Sequence, residues 1–387
     1  MAIDKQIQAS SPFKVHYPSS DYLAYSGGLT SAVLNVWIYT GAQGGGNTTS
    51  GGLNVDASIA GASGDRDNKP SKVLKSTAVG TLGNEFVSFD IANIVKSRLK
   101  QEFTGEDNIS SVAVNPNTIM WVDYQLTTKT GGTETIHPLL NCVAYDGYTY
   151  FEEGLNAQVS EGALVSADTI SVVEGEEVFI PVLAEGFTSI TFYDGDGNPV
   201  PTSTSTPSSS TESYEQIKYV GAIGASSVIV NYTDSGIGKT NTLTINSLEC
   251  NKHTPYRISF LNRYGAIQSM WFNGNNTEST MVKTKEYNRV ATSSVNGSEY
   301  STARGSRYKQ RQSSTKAMTL NSGFYPENCN VTFEELIDST EVWIEKDSVI
   351  LPINIKTSSF NKKTAINDNA INYTINIEYA FNKINNI

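Results

Sequence analysis

Ile371-Asn-Tyr-Thr-Ile-Asn-Ile-Glu-Tyr-Ala-Phe381 alternates apolar and polar side chains along its length. Ile371, Tyr373, Ile375, Ile377, Tyr379 and Phe381 fall on one face; Asn372, Thr374, Asn376 and Glu378 fall on the other. Period two belongs to a β-strand with one face buried and one wet. At about 3.3 Å per residue such a strand spans about 35 Å, against the five or six residues usual for a strand. A long strand with Asn and Thr on its second face belongs to a long sandwich or to a sheet that another subunit covers.

Working outward, the rest of the chain speaks the same language. Among 387 residues there are 31 Gly, 20 Tyr and only 12 Pro, and charged residues are 17%. This composition suits strands, turns and polar loops, and the length predicts two or three domains. The fold class expected is mainly β: multi-domain β-sandwiches with an Ig-like middle module and one or two short helices packed on sheets.

Three regions are expected. Residues 1–160 form an N-terminal β-rich domain with one helix. Its strands are Tyr22–Tyr25, Val33–Tyr39 and Ile119–Leu126, with a flexible turn over Gly41–Gly52. The helix runs Asp90–Glu102, capped by Asp90, with Ile91, Ile94, Val95 and Leu99 on one face. Residues 161–248 form an Ig-like β-sandwich. There Val178, Ile180 and Val182 alternate, as do Val228, Val230 and Tyr232, and then Leu243 and Ile245. The run Pro201–Thr211 is low in complexity and reads as an exposed loop. Residues 249–387 form a C-terminal β-domain with a long basic loop over about 283–316. Its short helix opens at a capping box, Thr332-Phe-Glu-Glu335, and ends at Ile337, before strands Val342–Ile344 and Val349–Ile355.

Several functions lose their footing in the residues. The net charge of −11 repels duplex nucleic acid on average. No apolar run reaches transmembrane length, and the first residues lack the apolar core of a secretory signal. Cys142, Cys250 and Cys329 lie far apart, and His16, His137 and His253 stand alone. Neither a disulfide framework, nor a metal centre, nor a Ser/His/Asp triad is expected. No cofactor and no catalytic residue is assigned.

Four short motifs invite chemistry. Gly238-Lys-Thr240 resembles the end of a phosphate loop, but position 233 is Thr and a strand follows it. Asp194, Asp196 and Asn198 have calcium-loop spacing, but Ser205 stands where the bidentate Glu belongs, so a β-turn is the better reading. The carboxylate pairs Glu152–Glu153 and Glu334–Glu335 are nominal acid–base candidates. Sequons at Asn47, Asn108, Asn231, Asn275, Asn296, Asn330 and Asn372 follow from the Asn/Ser/Thr-rich composition.

The main anomaly is charge. Lys283, Lys285, Arg289, Arg304, Arg307, Lys309, Arg311 and Lys316 face only Glu286 and Glu299. The segment therefore carries +6 inside a chain of −11, leaving −17 for the remainder. Residues 290–316 read as a long polar loop or hairpin tip. Such a segment is either a solvated loop or an arm that docks on an acidic neighbour, including the next copy of the chain. Nucleic acid ranks below these, since only Tyr287, Tyr300 and Tyr308 offer stacking.

The C-terminal third carries a family pattern. Cys250-Asn-Lys-His-Thr-Pro-Tyr-Arg-Ile-Ser-Phe-Leu-Asn-Arg-Tyr-Gly265 is followed by Ser269-Met-Trp-Phe272. Phe333-Glu-Glu-Leu-Ile-Asp-Ser-Thr-Glu-Val-Trp-Ile344, Leu351-Pro-Ile353 and Tyr373-Thr-Ile-Asn-Ile-Glu-Tyr-Ala-Phe381 come later. Together these resemble virion proteins of tailed bacteriophages that infect Bacteroidetes, including the crAss-like podophages. The resemblance implies a neck, tail-ring or tail-tube subunit, made in the host bacterial cytoplasm and located in the virion. Its partners would be copies of itself in sixfold or twelvefold rings, neighbouring portal, neck or tail proteins, and DNA in transient passage, with no membrane. It carries no active-site residues. Two alternatives stay open. One is a baseplate or fibre-type protein binding host glycan through the Ig-like module, with Tyr145, Tyr148 and Tyr150 exposed beside it. The other is a virion glycosidase with convergent carboxylates.

Overall fold

The computed structural model describes residues 2–5, 22–25, 29–40, 53–54, 72–79, 86–89, 94, 97, 103, 119–136, 140–148, 162–183, 187–202, 217–234, 237–249, 252–289, 305–357, 359–363, 370–381 and 383–384. The chain is mainly β, built from several sheets and one short described helix. It divides into two compact units. The first holds Met1–Glu249, Ser259–Met270 and Asn328–Thr340; the second holds Cys250–Ile258, Trp271–Glu327 and Glu341–Ile387.

Within the first unit, Leu29–Thr40 is the central strand of a six-stranded sheet. It lies between Ile119–Thr130 on one side and Leu53–Asn54 with Lys72–Thr77 on the other. Ala32, Leu34, Val36 and Ile38 occupy alternate positions and are all buried, which is why this segment extends. Ile119–Thr130 turns through Gly131 and Gly132, both at positive φ, into Thr133–Ile136. Two adjacent left-handed positions suit a tight hairpin, and glycine reaches them without a Cβ clash. The expected strands Tyr22–Tyr25, Val33–Tyr39 and Ile119–Leu126 all form. The Gly41–Gly52 turn lies outside the described residues. So does most of the Asp90–Glu102 helix; Ile94 is helical, and its carbonyl accepts from Ser97 Oγ at 2.7 Å.

The stretch 162–249 forms a β-sandwich of two sheets. One runs Thr169–Val173, Ile237–Leu248, Ser227–Asp234, Phe187–Tyr193 and Pro199–Val200; the other pairs Glu177–Leu183 with Ile217–Ile223. Single bridges extend the smaller sheet, Ala163 to Val182 and Thr202 to Ala222. The chain thus starts beside one sheet at Ala163 and crosses to the other at Thr169, where it pairs in parallel with Ile237–Leu248. Ile180, Val182, Phe192, Val220, Val228 and Val230 are fully buried between the sheets.

The second unit is organised on a large antiparallel sheet. Within it Val342–Lys346, Val349–Ile355, Thr374–Tyr379, Arg307–Asn321 and Thr277–Asn288 follow one another, each antiparallel to the next. Lys383–Ile384 also pairs with Arg307–Asn321. The C-terminal alternation buries as expected at Ile371, Tyr373, Ile375, Ile377 and Tyr379. The single long strand is corrected: Ala370–Ile371 pairs with Tyr325–Pro326, and Thr374–Tyr379 pairs separately with Arg307–Asn321 and Val349–Ile355. The break falls at Asn372–Tyr373, where Ser322 Oγ accepts from the Tyr373 N–H at 2.9 Å. Phe381, expected on the buried face, is 47% exposed.

The capping-box reading of Thr332 and Glu335 is also corrected. The helix begins at Asn330 and runs to Asp338, its N-cap is Cys329, and no side chain caps it. Thr332 and Glu335 lie inside the helix with Phe333 and Leu336, all buried. Glu335 is used for packing instead of capping, as its contacts show below.

Candidate functional site

The basic residues converge on one element. Thr277–Asn288 and Arg307–Asn321 pair antiparallel over their length, from Thr277 opposite Thr319 to Asn288 opposite Arg307. The expectation of a long basic loop over about 283–316 is therefore corrected at Lys283–Asn288 and from Arg307 onward, which are strand. Lys283 and Lys285 lie on the first strand; Arg307, Lys309, Arg311 and Lys316 lie on the second; Arg289 follows the first. Arg304 lies outside the described residues. A register shift between Lys285 and Glu286 leaves Gln310 without an opposite residue, a bulge that increases local twist.

One root of this ribbon is pinned to the sheet. Glu278 accepts from Lys316 Nζ and Lys346 Nζ, each at 3.0 Å. These bonds hold its carboxyl below the usual glutamate range and raise Lys346. On the side of Arg307–Asn321 away from Thr277–Asn288, the neighbours are Thr374–Tyr379 at Ala317–Asn321 and Lys383–Ile384 at Ser313–Ser314. Among the described residues, the ribbon from Arg307 to Gln312 has no third strand.

Toward the tip the cations separate into two kinds. Arg307 pairs with Glu286 at 3.3 Å, and Arg289 stacks over the Tyr308 ring at 5.4 Å. Tyr287 and Tyr308 stack across the strands with centroids 5.9 Å apart. Lys283, Lys285 and Arg311 have no ion-pair partner among the described residues. Met281, Lys283 and Lys285 project from one face of the strand. Every residue of Thr277–Asn288 is exposed, with Met281 at 63%. Sequence reasoning found the charges but missed Met281 and Val282. Their signal was an apolar pair between Thr280 and Lys283, in a segment otherwise without one.

The remaining candidates are structural in their contacts. Asp194 accepts from the Asp196 N–H at 3.0 Å and the Asn198 N–H at 2.8 Å, and its own N–H donates to Asn198 O at 2.9 Å. Its carboxyl is held low mainly by the Asn198 backbone bond. The calcium-like spacing is a β-turn returning into Pro199–Val200. Gly238-Lys-Thr240 lies within the strand Ile237–Leu248. Among the described residues, no three His, Cys, Asp or Glu side chains cluster as metal ligands.

Glu335 joins a buried polar node in the first unit. Its Oε2 lies 2.5 Å from Ser166 Oγ and accepts from the Arg263 N–H at 3.3 Å. Ser166 Oγ also lies 2.8 Å from Gln268 Oε1. Asn262, fully buried, donates to Leu164 O at 2.8 Å and to Gln268 Oε1 at 3.2 Å, and accepts from the Tyr264 and Ala266 N–H groups. Tyr148, expected exposed under the glycan reading, is half-buried, and its hydroxyl donates to Glu335 O at 3.4 Å. Glu334 is half-buried one position along the same helix, while Glu152, Glu153, Tyr150, His16 and His137 lie outside the described residues.

Among the described residues no helix is long and apolar enough to cross a membrane. No family model matches the chain, and no curated protein compared with it matches either.

Proposed function

We propose that the chain is a ring-forming neck or tail subunit of a tailed-phage virion that helps build the conduit for DNA ejection. One observation carries the reading. The arm exposes Lys283, Lys285 and Arg311 without carboxylate partners among the described residues, while the remaining chain carries −17. A cationic arm and an anionic body on one polypeptide are complementary between copies. A contact between two different surfaces propagates head to tail and closes into a ring when the rotation per copy allows it. The resemblance of the C-terminal third to Bacteroidetes phage virion proteins supports the setting. So does the acidic balance, which suits a lumen that must not retain its genome.

Negative-stain images of the purified full-length chain test this. Closed rings or stacked tubes are expected, with the symmetry read directly. Isolated single particles at every concentration and on every preformed neck or tail platform would count against it.

A second reading has one observation in its favour. The outer face of the larger Ig-like sheet is a field of hydroxyls and amides, linked by bonds from Asn231 to Ser189 and Thr240 to Asn231, each 2.9 Å. Such a face suits sugar hydroxyls, so the chain is alternatively a baseplate or fibre-type adhesin for host glycan. Binding of the isolated chain to host cells, abolished by Asn231→Leu, would support it.

A further inference from the structure

We infer that the open edge of Thr277–Asn288 is the acceptor for an acidic extended segment of a second copy, added as a further β-strand. This rests on the ring-forming reading and specifies how the copies join.

The strand ends the sheet order, so one of its edges has no neighbour among the described residues. Which groups face that edge follows from one hydrogen bond. The Arg289 N–H donates to Ser306 O at 2.7 Å, making these two a hydrogen-bonded pair. Alternation along an antiparallel strand then turns the N–H and C=O of Met281, Lys283 and Lys285 toward Arg307–Asn321. It turns those of Thr280, Val282 and Thr284 to the open edge. An exposed edge twelve residues long is a template for strand addition unless something blunts it. Here Lys283 and Lys285 repel a copy of the same strand and admit one carrying carboxylates. Met281 and Val282, both exposed, gain cover from the added strand. The chain's own remainder, at −17, supplies the carboxylates.

Val282→Pro in the full-length chain removes an N–H from the open edge and leaves the bonds to Arg307–Asn321 in place. Proline is tolerated on edge strands for that reason. Sedimentation of the folded variant is expected to show self-association weakened about tenfold or more. The triple charge reversal Lys283→Glu, Lys285→Glu, Arg311→Glu is expected to do the same. Hydrogen exchange on the wild type gives an independent readout: the Val282 and Thr284 amides become protected in the assembly and exchange freely once high salt dissociates it. A folded Val282→Pro chain that assembles like wild type, or free exchange at both amides within the assembly, overturns strand addition and leaves the ring reading standing. Assembly untouched by the triple reversal overturns the acidic partner. Arm-dependent binding of a short duplex DNA by a chain that never self-associates overturns both this inference and the ring reading.

Discussion

Lys285 stands directly opposite Arg311 across the basic ribbon, and neither has an ion-pair partner among the described residues. Like charges in opposed positions on a strand pair destabilise it. A chain that uses salt bridges elsewhere on the same ribbon, at Arg307 with Glu286 and at Lys316 with Glu278, leaves this pair bare. The opposed cations cost the strand pair stability, a cost that the proposed contact with an acidic segment would offset.

Replacing Lys285 by Glu should therefore act in opposite directions on two measurements. The monomer should gain about 0.2–1 kcal/mol, as an opposed unlike pair replaces a like one. Self-association should weaken. Thermal melts and sedimentation on the same preparation check both; a variant that loses stability and keeps its association would contradict the reading.

Tyr325 anchors the second unit from within. Its buried hydroxyl donates to Trp271 O at 2.6 Å and accepts from the Trp271 N–H at 3.0 Å. Tyr325→Phe keeps the ring and strands both backbone groups, so a loss of about 1–3 kcal/mol is expected in denaturant unfolding. An unchanged midpoint would mean that the pair contributes nothing.

The Glu278 clamp gives stability a pH dependence of known sign. Its carboxyl is held low by hydrogen bonds from Lys346 and then Lys316, so the folded form binds its proton less readily than the unfolded chain. The stabilisation is complete above the ordinary glutamate range and is lost as the pH falls through the depressed folded value. Wild type should melt above Glu278→Gln at neutral pH, and the gap should close in acid. A gap constant down to strongly acidic pH would exclude the clamp.

Cys329 lies buried at the helix N-cap, and desolvation pushes its thiol up to about 12. Only the thiolate reacts readily with alkylating reagents. Cys329 should therefore stay unmodified by iodoacetamide at pH 8 in the folded chain and react fully in denaturant, as read by peptide mass spectrometry. Rapid modification under native conditions would show that the helix start opens.

How much of this was legible in the residues depended on whether one face of each element was buried. Leu29–Thr40, the sandwich strands of 169–248 and Ile371–Tyr379 each bury alternate residues, so the demand of that core writes period two into the sequence. Arg307–Gln312 has no core on either face, and its strand therefore looked like a polar loop. The hairpin there is set by backbone pairing with Thr277–Asn288, which leaves no hydrophobic trace. The break at Asn372–Tyr373 was hidden because burial alternates straight through it while the pairing partner changes. Thr332 and Glu335 had capping-box spacing, but burial claimed both side chains. The eight basic residues were visible as composition; that six of them share one two-stranded element depended on the register.

The most direct test of the central claim is the solution mass of the full-length chain as a function of ionic strength, with and without Lys283→Glu, Lys285→Glu and Arg311→Glu. At low salt the wild type should sediment as a multiple of the chain mass, fall toward monomer as salt screens the arm, and leave the triple variant monomeric throughout. A wild type and variant that share one mass at every salt concentration would contradict an assembly built on this arm.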